Sequence, residues 1–149
     1  MKSYIRDKRS PLPTNKHTSK VMSSNKAKDT TPELFFRSLL VEHQLKGYRL
    51  HWKKVPGRPD ISFTRKKIAI FINGCYWHRC PTCKLSLPKS NVKFWKNKFE
   101  KNVQRDKIKN SQLEDIGWKV FTIWECELKK NYERSKSKIK NILDEIKSS

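Results

Sequence analysis

The spacing of apolar residues between positions 31 and 149 predicts seven helices and strands. A helix is expected first, because Thr31-Pro32-Glu33 combines a capping Thr, Pro at the first helical position and an early acid. Its apolar stripe repeats at helical spacing: Leu34, Phe36, Leu39 and Leu40. Gly47 is the predicted end of this helix. Glu33 shares the face of Phe36 and Leu40, so we expect its side chain to point inward.

Three short strands are predicted next, at residues 48–52, 60–64 and 68–72. The third run, Ile68-Ala69-Ile70-Phe71-Ile72, is continuously apolar, as is typical of a central strand buried on both faces. Only residues 65–67 connect it to the second run, and so short a link predicts an antiparallel hairpin.

A long basic helix and a second buried strand follow a cysteine-rich loop. The helix is predicted from about residue 91 to 116, ended by Gly117, and the strand covers residues 118–124. The helix stripe comprises Trp95, Phe99, Val103, Asp106 and Leu113. A C-terminal amphipathic helix is indicated by Ile139, Ile142, Leu143 and Ile146. The order α-β-β-β-α-β-α predicts one α/β domain over residues 31–149, a mixed sheet with helices packed on it.

The charge of the chain points to a polyanionic partner. The sequence has 35 Lys and Arg against 14 Asp and Glu, a net charge of +21. So much like charge opposes compaction unless a polyanion neutralises it, and DNA or RNA fits because neutralised phosphates release counterions. A ribosomal protein or a membrane-surface protein would share this charge, so charge alone leaves those classes open.

Residues 1–30 are rich in Lys, Ser and Thr and almost devoid of large apolar side chains, which predicts a flexible basic arm before the domain. A terminus without a role is the alternative. No stretch resembles a secretory leader or approaches the roughly 20 apolar residues that span a bilayer. We therefore expect a cytoplasmic protein of bacterial type, associated with the nucleoid, in a reducing compartment and without a membrane partner.

Four cysteines have the spacing of a metal site: Cys75, Cys80, Cys83 and Cys126. In a reducing compartment such a cluster predicts a metal rather than disulfides, and four thiolates satisfy the tetrahedral demand of a structural Zn²⁺. This ion would fasten the loop to the strand that ends at Trp124. His78 within the loop could replace one cysteine, and buried unliganded cysteines are the other alternative.

Three acids are expected to face inward: Asp60, Asp106 and Glu33. Asp60 follows the rigid turn Pro56-Gly57-Arg58-Pro59, at the start of a strand. Buried carboxylates need a cation or partners, and Mg²⁺ is the usual cation beside phosphate. His78 follows the central strand and is a candidate general base that activates water. A solvated Asp60 and an exposed loop histidine are the alternatives without function.

Aromatic residues adjoin these candidates. Tyr76 and Trp77 lie on the cysteine-rich loop, and Trp95 lies near the start of the basic helix. Rigid rings on a cationic protein could stack on bases or wedge between them, although Trp95 fits a core position equally well. The surrounding lysines, including Lys93 and Lys96, would meet phosphates, while part of that run is an ordinary solvated helix face.

Five stretches together resemble the very-short-patch repair (Vsr) endonucleases. They are residues 22–33, the Pro-Gly-Arg-Pro-Asp at 56–60, Phe-Ile-Asn-Gly-Cys-Tyr-Trp-His at 71–78, Asn-Val-Gln-Arg-Asp at 102–106, and Trp-Glu-Cys-Glu-Leu at 124–128. The match runs in order from about residue 20 to 130. It implies a restriction-endonuclease-like fold and an Mg²⁺-dependent enzyme acting on double-stranded DNA.

The family resemblance also implies a substrate and an assembly. It implies recognition of the G·T mismatch that deamination of 5-methylcytosine leaves, and a nick 5′ to the mispaired thymine. A monomer suffices for such a nick. Mismatch-repair proteins are candidate partners.

The resemblance further implies roles for single residues. Asp60 resembles the family's metal-binding Asp, with the main-chain carbonyl of Ile72 as a second ligand. His78 resembles the catalytic His, Asp106 the acid that holds a metal-bound water, and Glu33 a position near the N-terminal DNA contacts. Contacts with DNA are implied for aromatic residues that wedge beside the mismatch, for the basic arm and for neighbouring cationic side chains. These residues are Tyr76, Trp77, Trp95, Met22, Lys26, Lys28, Arg58, Lys93 and Lys96.

Two departures from the family pattern change these expectations. Asn73 occupies a catalytic position where family members carry His or Asp, and an amide cannot exchange a proton, so a different rate or metal dependence is expected. In the zinc loop, Cys80-Pro81-Thr82-Cys83 stands where another form of the family has His and Cys, shifted by one residue. The chain still supplies four zinc ligands. Two other functions stay open: a restriction or defence nuclease cutting matched DNA, and a non-catalytic, zinc-stabilised DNA-binding module.

Overall fold

The computed structural model describes residues 29–149, and this part of the chain has the predicted order of elements. Its helices are α1 (Thr31–Glu42), α2 (Val92–Asp115) and α3 (Tyr132–Ser148), and its strands are β1 (Arg49–Leu50), β2 (Ile61–Phe63), β3 (Ile68–Asn73) and β4 (Lys119–Trp124). A 3₁₀ turn, Glu125–Leu128, follows β4.

The four strands form one mixed sheet in the order β1-β2-β3-β4. The predicted hairpin is confirmed, since β2 and β3 are antiparallel with Ile61 opposite Ile70. Strand β4 runs parallel to β3, with Asn73 opposite Trp124, because α2 carries the chain back across the sheet. This parallel pair brings the ends of β3 and β4 to the same edge.

Alternate residues of β3 face two different cores. Ile68, Ile70 and Ile72 pack against α1 and α3 in the larger core, and Ala69 packs with Leu113 of α2 on the other face. The period of two along a strand produces this division. It explains why the run is continuously apolar, and it turns Phe71 and Asn73 toward the α2 side.

The bounds of α1 differ from the prediction at both ends. Thr30, not Thr31, is the cap, and its Oγ1 accepts the backbone N–H of Glu33 at 3.4 Å. The helix ends at Glu42, before Gly47, because Gln44 adopts a left-handed conformation with φ of +57°. The next residue, Leu45, then donates its N–H to the Leu40 carbonyl at 2.8 Å and closes the helix end.

The predicted apolar stripes are largely buried. Leu34 is an exception, with 52% of its surface exposed, whereas the other members of the α1 stripe are buried. Within the described residues, no helix combines the length and apolarity needed to cross a bilayer.

Candidate active site

A cavity of about 900 Å³ lies where the start of α1, the turn at 56–60, the end of β3, the loop after it and α2 meet. Nine residues assigned to function in the sequence analysis line it: Glu33, Arg58, Asp60, Ile72, Asn73, Tyr76, Trp77, His78 and Asp106. The fold therefore brings together candidates from distant segments of the chain.

The turn before Asp60 is held tightly against β3 and α2. Gly57 has φ of +81°, and a Cβ added to it would lie 2.9 Å from Cζ of Phe71 and 3.0 Å from Cβ of Lys109. Asp60 in turn accepts the backbone N–H of Ile72 on Oδ2 at 2.7 Å. The carboxylate is therefore anchored to the central strand at the wall of the cavity.

The surroundings of Asp60 disfavour its ionised form. Burial raises the pKa of Asp60 from its ordinary value of 3.8 to about 6, and the negative charge of Glu33 adds to the rise. The hydrogen bond from Ile72 and electrostatic interactions with His78 and Arg37 act in the opposite direction. A cation bound at this carboxylate would relieve the penalty on its charge.

His78 and Asp106 form a hydrogen-bonded pair that links the loop to α2. His78 Nδ1 lies 2.7 Å from Asp106 Oδ2, and the two side chains are 35% and 34% exposed. A carboxylate on Nδ1 orients the ring and leaves Nε2 free to accept a proton. Asn102 fastens the same loop by donating Nδ2 to the Trp77 carbonyl at 3.2 Å. That Asp106 holds a metal-bound water stays a prediction, since its partner here is His78.

The three predicted acids do not converge on one point. Glu33 is 3% exposed, as expected, but its carboxylate lies 3.3 Å from Nη2 of Arg37 and accepts the backbone N–H of Asp29 at 2.9 Å. Asp60 and Asp106 belong to no group of three or more ligand side chains within reach of one ion, among residues 29–149. Glu33 and Asp106 therefore have protein partners, which the sequence analysis gave as the alternative to a cation.

His51 is a residue of this region that the sequence analysis missed. The antiparallel pairing of β1 with β2 continues to it, since its N–H donates to the Asp60 carbonyl at 3.1 Å. Its ring lies between two acids, with Nδ1 3.7 Å from Asp60 Oδ1 and Nε2 3.4 Å from Glu33 Oε2. The available signal was a histidine at the end of a strand that pairs beside Asp60.

Arg37 is a second missed residue. Asp29, Glu33 and His51 lie close enough together to hold a metal ion. The guanidinium Nη2 of Arg37 lies 2.7 Å, 3.3 Å and 3.4 Å from these three side chains, respectively. A cationic group of the protein therefore already occupies the centre of this cluster.

The four cysteines converge as the spacing predicted. Their Sγ atoms lie within 4.8 Å of one another, and the Cys80–Cys126 Sγ distance is 3.9 Å. Tetrahedral Zn–S bonds of about 2.3 Å place two sulfurs about 3.8 Å apart, so the donor set fits zinc. Burial acts to raise the pKa of Cys80, but hydrogen bonds from the backbone amides of Cys83 and Thr82 and from the side chains of Cys126 and Cys75 together lower it. Burial raises the pKa of Cys75 and of Cys126, so in those two thiols it favours the protonated form.

Aromatic rings extend from the cavity along the start of α2. Tyr76 and Trp77 are partly exposed at the cavity wall, with ring centroids 5.1 Å apart, and Phe99 packs behind both. Trp95 is only 8% exposed and packs 5.8 Å from Trp77 and 5.9 Å from Phe99. Trp95 therefore lies in a core position with its ring covered by its neighbours, and its contact with DNA stays a prediction.

Cationic side chains adjoin the cavity. Arg105, Lys109 and Lys129 line it with Arg58, whereas Lys93 and Lys96 are exposed nearer the start of α2 and do not line it. Lys129 lies 2.9 Å from Glu125 in an exposed ion pair. A strand entering the cavity would therefore meet positive charge from the turn, from α2 and from the segment after β4.

Comparison with known proteins identifies the family. Residues 12–84 match the family described as DNA mismatch endonuclease Vsr. The DNA mismatch endonuclease Vsr of Escherichia coli strain K12 is 36% identical over 111 residues, which cover 74% of this chain and 70% of that protein. The chain belongs to the Vsr family of DNA endonucleases.

Two further relatives extend the match across most of this Vsr-family chain. The type II nicking enzyme V.XorIIP of Xanthomonas oryzae pv. oryzae is 40% identical over 127 residues, covering 83% of this chain and 90% of that protein. The type II nicking enzyme V.NmeAIP of Neisseria meningitidis is 38% identical over 134 residues, covering 90% and 94%. The alternative of a DNA-binding module without catalysis is therefore wrong, because the chain belongs to a family of enzymes.

Three of the expected DNA contacts lie outside the described residues. Met22, Lys26 and Lys28 precede the described residues, although the family match begins at residue 12 and includes them. For this Vsr-family endonuclease, the described DNA candidates are therefore the aromatic pair and the cations around the cavity.

Proposed function

We propose that this Vsr-family endonuclease nicks one strand of double-stranded DNA, 5′ to the thymine of a G·T mismatch that arises from 5-methylcytosine deamination. The observation that carries the proposal is the His78–Asp106 pair, which opens onto the same cavity as Asp60. The names of the relatives agree with it, since one is a mismatch endonuclease and others are nicking enzymes.

Asp60 and the main-chain carbonyl of Ile72 are the proposed ligands of a catalytic Mg²⁺. Oxygen donors suit this hard cation, and the raised pKa of Asp60 indicates a carboxylate whose charge lacks full compensation within the protein. When bound, Mg²⁺ would polarise the scissile phosphate and stabilise charge on the leaving oxygen.

His78 is the proposed general base. Its Nε2 accepts the proton of the attacking water, while Asp106 on Nδ1 keeps the ring oriented and stabilises the positive charge that forms. Asn73 is 8% exposed at the end of β3 and lines the cavity. Its amide donates and accepts hydrogen bonds but holds no exchangeable catalytic proton, so His78 carries the proton transfer alone.

Recognition of the mismatch is assigned to Tyr76 and Trp77. Mispaired bases cost less to unstack than paired ones, so rings inserted beside a G·T pair favour that site. Trp95 supports Trp77 from behind through their 5.8 Å ring contact. Arg58, Lys93 and Lys96 would contact phosphates, and the arm with Met22, Lys26 and Lys28 would cross the duplex on the other side.

A structural Zn²⁺ held by Cys75, Cys80, Cys83 and Cys126 would secure the loop that carries these residues. Cys75 lies two residues after β3, and Cys126 lies in the 3₁₀ turn after β4. Four protein ligands leave no open position for water on the ion, so zinc would position the loop and take no part in cleavage.

Mapping the cut tests the proposal. A duplex with one G·T pair, labelled separately on each strand, is incubated with the zinc-loaded protein and Mg²⁺, and the products are sized beside a sequencing ladder. A single cut 5′ to the thymine, with the opposite strand intact, is expected from a monomer. Cuts in both strands, or equal cutting of a matched G·C duplex, would overturn the repair function in favour of a restriction or defence nuclease.

A further inference from the structure

We infer that His51 is a positioning residue of the active site, whose imidazole holds the Asp60 carboxylate in the orientation that binds the metal. The inference rests on the proposed function, because it takes Asp60 as the metal ligand. His51 does not line the cavity, and its side chain is 13% exposed. It therefore lies behind Asp60 and acts through it.

The two oxygens of Asp60 face contacts from the two neighbouring strands. Oδ2 accepts the backbone N–H of Ile72 in β3 at 2.7 Å, and Oδ1 faces Nδ1 of His51 at 3.7 Å, just after β1. The first contact alone would leave the carboxylate free to rotate about its bond to Cβ. The imidazole on the second oxygen restricts that rotation, so the lone pairs that face the cavity keep one direction.

Arg37 and Glu33 contact the other side of the His51 ring. Nη2 of Arg37 and Oε2 of Glu33 each lie 3.4 Å from Nε2, which leaves Nδ1 facing Asp60. Arg37 is itself oriented by Asp29 at 2.7 Å and Glu33 at 3.3 Å. The buried Glu33 thus acts on Asp60 through Arg37 and His51, as well as by its charge.

The backbone of His51 also contacts the turn that carries Asp60. Its φ of +49° lies in the left-handed region, where histidine is found more often than most residues other than glycine. In this conformation its N–H reaches the Asp60 carbonyl at 3.1 Å, and its carbonyl accepts Nε of Arg58 at 3.3 Å. Main chain and side chain of one residue thereby hold the whole turn before the metal ligand.

Three substitutions separate the side-chain contacts. His51→Asn places an amide near the Nδ1 position, facing Asp60, and Asn tolerates the left-handed backbone. His51→Gln places its amide near the Nε2 position, facing Glu33 and Arg37 instead. His51→Gly removes the imidazole without backbone strain. His43→Asn, at the exposed end of α1, is the matched histidine control.

The primary measurement is Mn²⁺ affinity, read from the loss of the free-ion electron paramagnetic resonance signal, on zinc-loaded full-length protein with an uncleavable G·T duplex. We expect His51→Gly and His51→Gln to weaken the affinity by about tenfold, the effect typical of removing a group that orients a metal ligand. His51→Asn and His43→Asn should stay within about threefold of wild type. The metal concentration for half-maximal nicking should shift in parallel, with the rate at saturating metal little changed. Zinc content and metal-free duplex affinity check folding.

The outcomes are distinct. Unchanged Mn²⁺ affinity in His51→Gly, or a lower rate at saturating metal with unchanged affinity, would overturn the inference. Rescue by His51→Gln but not by His51→Asn would also overturn it, by placing the essential contact on Glu33. If His51→Gly does not fold, the comparison of the Asn and Gln variants still decides. Failure of the wild type to nick the G·T duplex with metal would instead refute the proposed function.

Discussion

Replacing Asp60 with Asn should make the metal-free protein more stable while abolishing cleavage. Burial raises the pKa of Asp60 to about 6, so at pH 8 the folded state carries the carboxylate's charge at a penalty of about 3 kcal/mol relative to the unfolded chain. The amide oxygen of Asn can still accept the N–H of Ile72, and the pKa of about 6 already includes the effect of that bond on the charged carboxylate. The expected gain is therefore about 3 kcal/mol, roughly 9 °C in melting temperature for a domain of this size.

The gain should depend on pH in a definite direction. Because the folded pKa of Asp60 exceeds its ordinary value of 3.8, the folded state binds more protons than the unfolded state between pH 4 and 6. The contribution of Asp60 to stability therefore falls as pH rises through that window. The advantage of Asp60→Asn should be about half as large at pH 5, midway through that window, as at pH 8, where it reaches its full value.

Urea unfolding at pH 5 and pH 8 measures this difference, in magnesium-free buffer without chelator so that zinc is retained. Asp144→Asn is the control, since it removes an exposed carboxylate in α3 and raises the net charge of +21 by the same amount. Added Mg²⁺ should stabilise the wild type and leave Asp60→Asn unchanged. No gain at pH 8, or an equal gain at both pH values, would refute the reasoning from burial.

Three other substitutions test other parts of the site. His78→Ala should slow nicking at least about 100-fold with duplex affinity nearly unchanged, because general base catalysis contributes at least that factor to the rate. Lost duplex binding with a normal nicking rate per bound complex would contradict the role of His78 as the general base. Gly57→Ala should lower the free energy of unfolding in urea by about 2 kcal/mol and impair cleavage, because the added Cβ meets Phe71 and Lys109. Gly47→Ala is the control, at φ of +85° with open space around it, and should lower the free energy of unfolding by less than half as much. Equal losses in the two variants would show that the close approach at Gly57 is unimportant. Cys126→Ser should lower zinc content, measured by plasma mass spectrometry, and stability together; full zinc retention would remove Cys126 from the ligand set.

The fold was predictable where the information is local. The apolar run of β3 and the three-residue link before it are sufficient for a buried hairpin strand, and the structure has both. The end of α1 was not predictable from Gly47, because Gln44 takes the left-handed conformation that glycine usually supplies. Whether a residue other than glycine adopts this conformation depends on tertiary contacts, here the burial of Leu45.

The site was predictable as single residues but not as partnerships. Asp60 and His78 were found from their positions after a rigid turn and a central strand, and both line the cavity. The contacts of Arg37 and His51 were not found, because they require the pairing of the two-residue strand β1, which is too short to produce a periodic pattern. The burial of Trp95 likewise depends on how the loop folds over α2.

Competition between a mismatched and a matched duplex tests whether this endonuclease selects the G·T pair. Zinc-loaded protein is given equimolar G·T and matched G·C duplexes of the same sequence with different labels, with Mg²⁺ and without it, and nicking of each duplex is followed over time. We expect Mg²⁺-dependent nicking of the thymine strand alone, with a preference for the G·T duplex of at least about 100-fold, the discrimination expected from about 3 kcal/mol. Equal rates on the two duplexes, or nicking that persists without a divalent cation, would contradict it.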